Sequence, residues 1–243
     1  MDDYDRTPAL AGALRLISPP ALRRHLRLAH KRYTFRRSIG RFYRDPRRAA
    51  SSTDAILGDL VYGWGNEGWS AFPEFLSASV GHALATKGAI LECGSGLTTI
   101  LLGLLAKQQR RIVWALEDSH EWSGTVNGVL RRHRIDSVRL CTAPLRNFGG
   151  FSWYDPPLKE MPEFSLVICD GPPAQTPGGR YGLLPVMREK LCGGAVVLLD
   201  DAKRDDDRGI GRRWASEFDM SYELLGSDRP FVRLTFPARA LSE

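Results

Sequence analysis

The chain has 243 residues, 43% hydrophobic and 26% charged, a composition that suits one large soluble α/β domain with an extension and excludes a disordered or low-complexity protein. Its apolar run 97–106 is shorter than the roughly 20 residues a membrane-spanning helix needs, and Glu92 and Lys107 bracket it. The formal charge of +6 is unevenly placed: residues 1–50 hold thirteen Arg/Lys and four Asp/Glu, net +9, and the rest hold 21 and 24, net −3.

The first residues include Asp2, Asp3 and Asp5, the wrong charge for a signal peptide, so the expected location is cytoplasmic. Over 19–44 the pattern is helical: Leu22, Leu26, Ala29 and Tyr33 recur at helix spacing and arginines fill the other face. Prolines 19, 20 and 46 suit its start and stop. Such a helix suits an anionic partner surface, nucleic acid or membrane. Equally, its Leu and Tyr face suits packing on the rest of the chain or on a second copy in a homodimer. A Gly- and Trp-rich stretch, 61–69, precedes a predicted helix at 73–85. The division expected is a basic helical extension over 1–58 and the main domain over 59–243.

From residue 89 strands and helices alternate. Strands are predicted at 89–93, 111–117, 137–142, 164–169, 194–199, 221–225 and 231–236, and helices at 97–107, 121–133, 181–191 and 207–218. Continuous apolar strands interleaved with helices imply an α/β fold with a mainly parallel sheet covered on both faces, and ligands in such sheets sit beyond the carboxyl ends of the strands. The interval 143–163 shows no helix and is expected to be a long loop at that edge. Cys93, Cys141, Cys169 and Cys192 lack a CxxC spacing and are expected to be reduced thiols; the five histidines show no zinc spacing.

The segment Ile90-Leu-Glu-Cys-Gly-Ser-Gly-Leu-Thr-Thr99 is a strand that ends in an acid, turns through two glycines and opens a helix with free N–H groups. A dinucleotide site wants a third glycine where Thr99 stands, and Glu92 would repel a pyrophosphate but suits a cation. This segment resembles motif I of class I S-adenosylmethionine-dependent methyltransferases, the E/D-x-G-x-G pattern. The resemblance implies a Rossmann-like three-layer sandwich with a seven-stranded sheet whose last strand is antiparallel. It also implies a cofactor, S-adenosylmethionine, held by Glu92, Gly94, Ser95, Gly96 and Thr98. Glu117, 21 residues after Gly96 at the tip of the second strand, takes the ribose hydroxyls in that family, with Asp118 as its neighbour.

The fourth strand ends in Cys169-Asp-Gly-Pro-Pro173, which resembles motif IV, and the fifth ends in Asp200-Asp201. The resemblance places Asp170 over the methyl-transfer centre, near cofactor and nucleophile, with Asp200 and Asp201 as further catalytic acids converging on it. Metal-assisted O-methyltransferases of the catechol type hold Mg²⁺ with three acids in this layout, and hard oxygen ligands suit that ion. Helix capping by the aspartates is the other reading, and Gly171-Pro172-Pro173 departs from the metal-dependent enzymes. Motif IV lacks the Asn/Asp-Pro-Pro-Tyr/Phe wording of amino-group methylation, so the expected acceptor is a small-molecule or sugar hydroxyl. An RNA methyltransferase using the basic extension, and a non-catalytic binding module that keeps the fold, are the alternatives.

Overall fold

The computed structural model describes residues 19–51, 54–66 and 70–238. The acidic start of the chain and Trp69 lie outside them. In chain order the elements are α1 (Pro20–Arg44), α2 (Ala55–Trp64), α3 (Pro73–Ala85), β1 (Ala89–Cys93), α4 (Leu97–Gln109), β2 (Val113–Glu117), α5 (His120–Arg132) and β3 (Val138–Thr142). There follow β4 (Leu145–Asn147), β5 (Ser152–Tyr154), β6 (Phe164–Cys169), α6 (Leu183–Met187), β7 (Leu191–Leu199), α7 (Asp205–Glu217), β8 (Ser221–Leu225) and β9 (Phe231–Thr235).

Seven strands form one sheet in the order β3-β2-β1-β6-β7-β9-β8. The first five positions are parallel, and β9, the last strand in the chain, runs antiparallel to both its neighbours. Side chains alternate across the sheet. In β1, Ile90 faces a core built with α1 to α5, whereas Leu91 and Cys93 face a second core made with α6, α7 and the β4–β5 segment. Two buried faces explain why the central strands read as continuous apolar runs rather than alternating ones. The strand order reverses between β1 and β6, and the chain leaves β1 for a helix on one face of the sheet and β6 for a helix on the other, which opens a crevice at their carboxyl ends.

The structure bears on two expectations for the N-terminal segment. The 58/59 boundary falls inside α2, whose Ile56, Leu57 and Leu60 are buried in the same apolar cluster as Ile90 and Leu101. The described part of the N-terminal segment is therefore built into the fold. Within α1, the stripe Leu22, Leu26, Ala29 and Tyr33 is exposed, and the residues that pack are Phe35, Ile39 and Phe42 one turn after another further along. Gly63 makes that packing close: a Cβ there would lie 2.7 Å from Phe35 Cα. The helix α2 itself escapes the sequence pattern because Gly58 and Gly63 interrupt it.

The interval 143–163 is not all loop. Its two three-residue strands pair as a hairpin, with Leu145 opposite Tyr154, and Trp153 and Tyr154 are fully buried. Three residues are too few to show a period of two, so only packing reveals them. None of the described helices is long and apolar enough to cross a membrane, and all four cysteines are free thiols.

Candidate cofactor and acceptor site

The turn after β1 is fixed by its neighbours. Gly94 has φ +86°, its N–H bonds Leu116 O at 2.9 Å, and a Cβ on it would stand 2.9 Å from Gly171 N. The N–H groups of Asp170 and Gly171 in turn donate to Cys93 O, at 2.9 and 2.7 Å, so the ends of β1 and β6 are stitched together. The need for glycine in the turn sits at Gly94. Gly96 has extended backbone, φ 175°, and nothing lies within 4 Å of a Cβ built there, because that side opens into the cleft. Thr99, at the place of the third dinucleotide glycine, closes the helix start: its Oγ1 accepts Gly96 N–H at 2.8 Å. It also bonds Glu92.

Glu92 is 1% exposed and does not line the cleft; burial pushes its carboxyl well above the usual range, and one oxygen has no partner. It bears on the site through Thr99 and the turn, not by the direct contact expected of it. Ser95, Gly96 and Thr98 do line the cleft, as do Gly94, Glu117, Asp118 and Asp170.

Glu117 clamps two loops. Its Oε2 accepts from Ser95 N (2.9 Å) and Ser95 Oγ (2.6 Å), and its Oε1 accepts from Ser119 N (3.0 Å). Ser119 caps α5, and Trp122 of that helix donates its indole N–H to Ser95 O at 2.8 Å. A carboxylate has about four acceptor positions. Three are used, so a ligand diol would take the remaining one and replace the Ser95 hydroxyl, while the two backbone bonds keep Glu117 oriented.

On the other side of the cleft stands an arginine to which the sequence assigned no role. Arg180, 3% exposed, donates to Asp201 Oδ2 at 2.8 Å, Asp170 Oδ1 at 3.1 Å and Asp200 O at 2.9 Å, and lies 3.8 Å from Asp207. Arg204 completes the network through Asp207, at 2.6 Å, and Asp201. Asp201 adopts φ +61°, a strained left-handed conformation that aspartate tolerates better than most residues and that turns its carboxylate toward Arg180. Asp200 is buried and accepts from Asp201 N at 2.7 Å. Burial pushes Asp170 up to about 6; Arg180 opposes that rise and Asp201 adds to it. Burial and the neighbouring Asp170 and Asp201 raise Asp200 as well.

The three strand-end aspartates and Arg180 all line one cleft of about 710 Å³. Mg²⁺, the ion their layout suggests, finds no ligand set: among the described residues no group of three or more His, Cys, Asp or Glu is placed to hold a metal ion. The cation that balances these acids is a guanidinium. Like charges this close need one. Besides Arg180, the cleft takes in Trp64 and Asn66 from the end of α2 and Tyr154 from β5, none of which carries a motif signature. The buried Tyr154 hydroxyl has no hydrogen-bond partner and sits beside the Gly94–Gly171 contact. An orphaned donor, an open Gly96 edge and a carboxylate with a free lone pair, in a cleft lined by five acids, fit a ligand with a ribose and a positive charge.

No family model matches the sequence, and no curated protein matches it. Solved structures do share the fold. An O-methyltransferase from Bacillus cereus in complex with SAH superposes with a TM-score of 0.55 at 15% identity, over 76% of this chain and 91% of that one. An SAH-bound methyltransferase of Podospora anserina gives 0.54 at 15% identity, over 71% and 82%. The precorrin-6Y C5,15-methyltransferase of Geobacter metallireducens gives 0.51 at 12%, over 69% and 90%. The chain has the fold of the class I S-adenosylmethionine-dependent methyltransferases.

Proposed function

We propose that this chain is a cytoplasmic S-adenosylmethionine-dependent methyltransferase that methylates a hydroxyl of a small molecule or sugar. The observation that carries the reading is the cleft itself, in which Glu117 at one strand end and Asp170, with a raised pKa, at another face the same space beside a glycine turn. Glu117, the 94–98 turn and Asp118 would hold the cofactor. When bound, it supplies a methyl group on a cationic sulfur, and transfer requires alignment of an oxygen nucleophile rather than covalent help from the protein.

Within that frame Asp170 has the chemistry of a general base. Its carboxyl is about a third exposed, on the cleft side, and a pKa of about 6 leaves it ionised at neutral pH yet basic enough to take the proton of an acceptor hydroxyl. Arg180 keeps Asp170 and Asp201 in place and balances their charge. Asp200, buried, and Asp201, bonded to two arginines, shape the base rather than meet the acceptor. The division of labour that follows assigns cofactor and base to the sheet edge after residue 88, and acceptor contacts to the helices before it.

Isothermal titration of the full chain with S-adenosylmethionine tests the reading without knowledge of the acceptor. Saturable binding, competed by its demethylated product, is expected. A folded chain that binds neither compound is not a methyltransferase.

A further inference from the structure

The cofactor cleft does not end at Trp64 and Trp122. Those two residues and Asn66 also form the wall of a second, larger groove of about 1510 Å³ that runs between α1, the end of α2 and the outer face of α5. Among the described residues, eight arginines and lysines line this groove and no carboxylate does. Arg24, Arg27, Arg32 and Arg36 come from α1, and Arg132 and Arg134 face them from the end of α5. None of these six takes part in an ion pair among the described residues.

Cations at adjacent turns of one helix repel each other. The consequence reaches the groove floor, where burial and the charges of Arg132 and Arg36 lower the pKa of His133. The floor is aromatic: His133 stands edge-on to Phe35 (5.8 Å), Phe35 packs on Trp64 (5.7 Å), and Trp64 stands edge-on to Trp122 (6.0 Å), whose indole holds the cofactor turn at Ser95. A basic trough with aromatic rings along its base, opening into a reaction cleft, is built for an extended chain of phosphates with flat groups attached.

We propose that this groove is the track for a single-stranded nucleic acid, whose phosphates lie along α1 and the end of α5 and whose acceptor nucleotide passes Trp64 into the cofactor cleft. The inference rests on the methyltransferase reading and narrows its acceptor to a sugar hydroxyl borne on such a strand. Arg24 to Arg36 covers about 18 Å of helix, enough for several phosphates. A flat lipid surface fits less well. The groove is concave, with basic residues on opposite walls, and the exposed Leu22, Leu26 and Tyr33 that would meet a bilayer lie on the opposite side of α1 from Arg24, Arg27 and Lys31.

Fluorescence anisotropy of the full chain with a labelled single-stranded RNA of about 20 nucleotides provides the test. It is run with Arg27→Glu/Arg132→Glu and Leu26→Asp variants, each checked for an unchanged thermal melt and for S-adenosylmethionine binding. Expected are saturable binding that weakens steeply with salt, a loss of about tenfold or more in the double charge reversal, no loss in Leu26→Asp, and unchanged cofactor affinity in both. RNA binding that survives the double reversal overturns the proposal. So does an absence of RNA binding, or binding to phosphatidylserine vesicles, lost in Leu26→Asp, that RNA does not compete. If the wild-type chain binds RNA in this way but no S-adenosylmethionine, the groove stands and the methyltransferase reading falls.

Discussion

Glu117 does two jobs that substitution separates. Glu117→Ala removes an acceptor of the ligand diol and also releases Ser95 and Ser119, so cofactor affinity falls by about 1–3 kcal/mol, read by calorimetry. Glu117→Gln keeps one acceptor oxygen and lies between. The two glycines separate as well. Gly94→Ala forces a side chain into a left-handed turn 2.9 Å from Gly171 N and lowers the melting temperature; Gly96→Val leaves the melt near that of the parent and abolishes cofactor binding, because its side chain meets only the cleft. Equal melts for the two variants contradict this assignment. For Asp170, ionisation above about pH 6 gives the turnover profile an ascending limb near that value, which Asp170→Asn removes along with most of the rate. The sign for stability is opposite: a carboxyl that holds its proton more tightly folded than unfolded favours the fold at acid pH, and this contribution is lost as pH rises from about 4 through 6. Strand ends and motif spacing set where Asp170 and Glu117 stand, which is why their places at the cleft are legible in the sequence. Arg180 is not, because a lone arginine in a Pro- and Gly-rich loop has no pattern of its own and gains a role only when the ends of β6 and β7 and the start of α7 bring three carboxylates around it.

At the scale of elements, the acids at the ends of β6 and β7 are joined to the start of α7 through Arg180 and Arg204. Arg180→Met is expected to cost roughly 2–3 kcal/mol in chemical unfolding, at or below the usual range for breaking a buried pair because Asp170 and Asp201 are each about a third exposed. Chelation by EDTA is expected to leave turnover unchanged, since the guanidinium already supplies the balancing charge. A loss of activity on chelation that Mg²⁺ restores would return the catechol-type reading. Helices α3, α4, α5 and α7 and the seven sheet strands lie close to where periodicity puts them, for each carries enough residues to show its period. The short β4 and β5 and the glycine-broken α2 do not, and β5 and the end of α2 supply Tyr154, Trp64 and Asn66 to the cleft margin.

Across the whole molecule, α1 is both wall and core. Phe42 is fully buried in the cluster that also holds Leu101 and Phe75, so Phe42→Ala is expected to cost about 3–5 kcal/mol by denaturant titration. A detachable extension would show almost no change. This integration places the basic face of α1 at a fixed distance from the cofactor cleft, which a flexible arm could not do.

The sequence by itself determined the class of fold, the antiparallel last strand and the strand-end acids, because apolar periodicity and a glycine turn after an acid are local signals that survive without tertiary context. It also placed the positive charge at the N-terminal end. Which side of the α1 helix would be buried depended on Gly63 admitting Phe35, a contact 28 residues apart that no periodicity encodes. The cation among the aspartates and the basic groove leading into the cleft were likewise decided only in three dimensions, since both are made of residues that the chain keeps far apart and that only packing brings face to face.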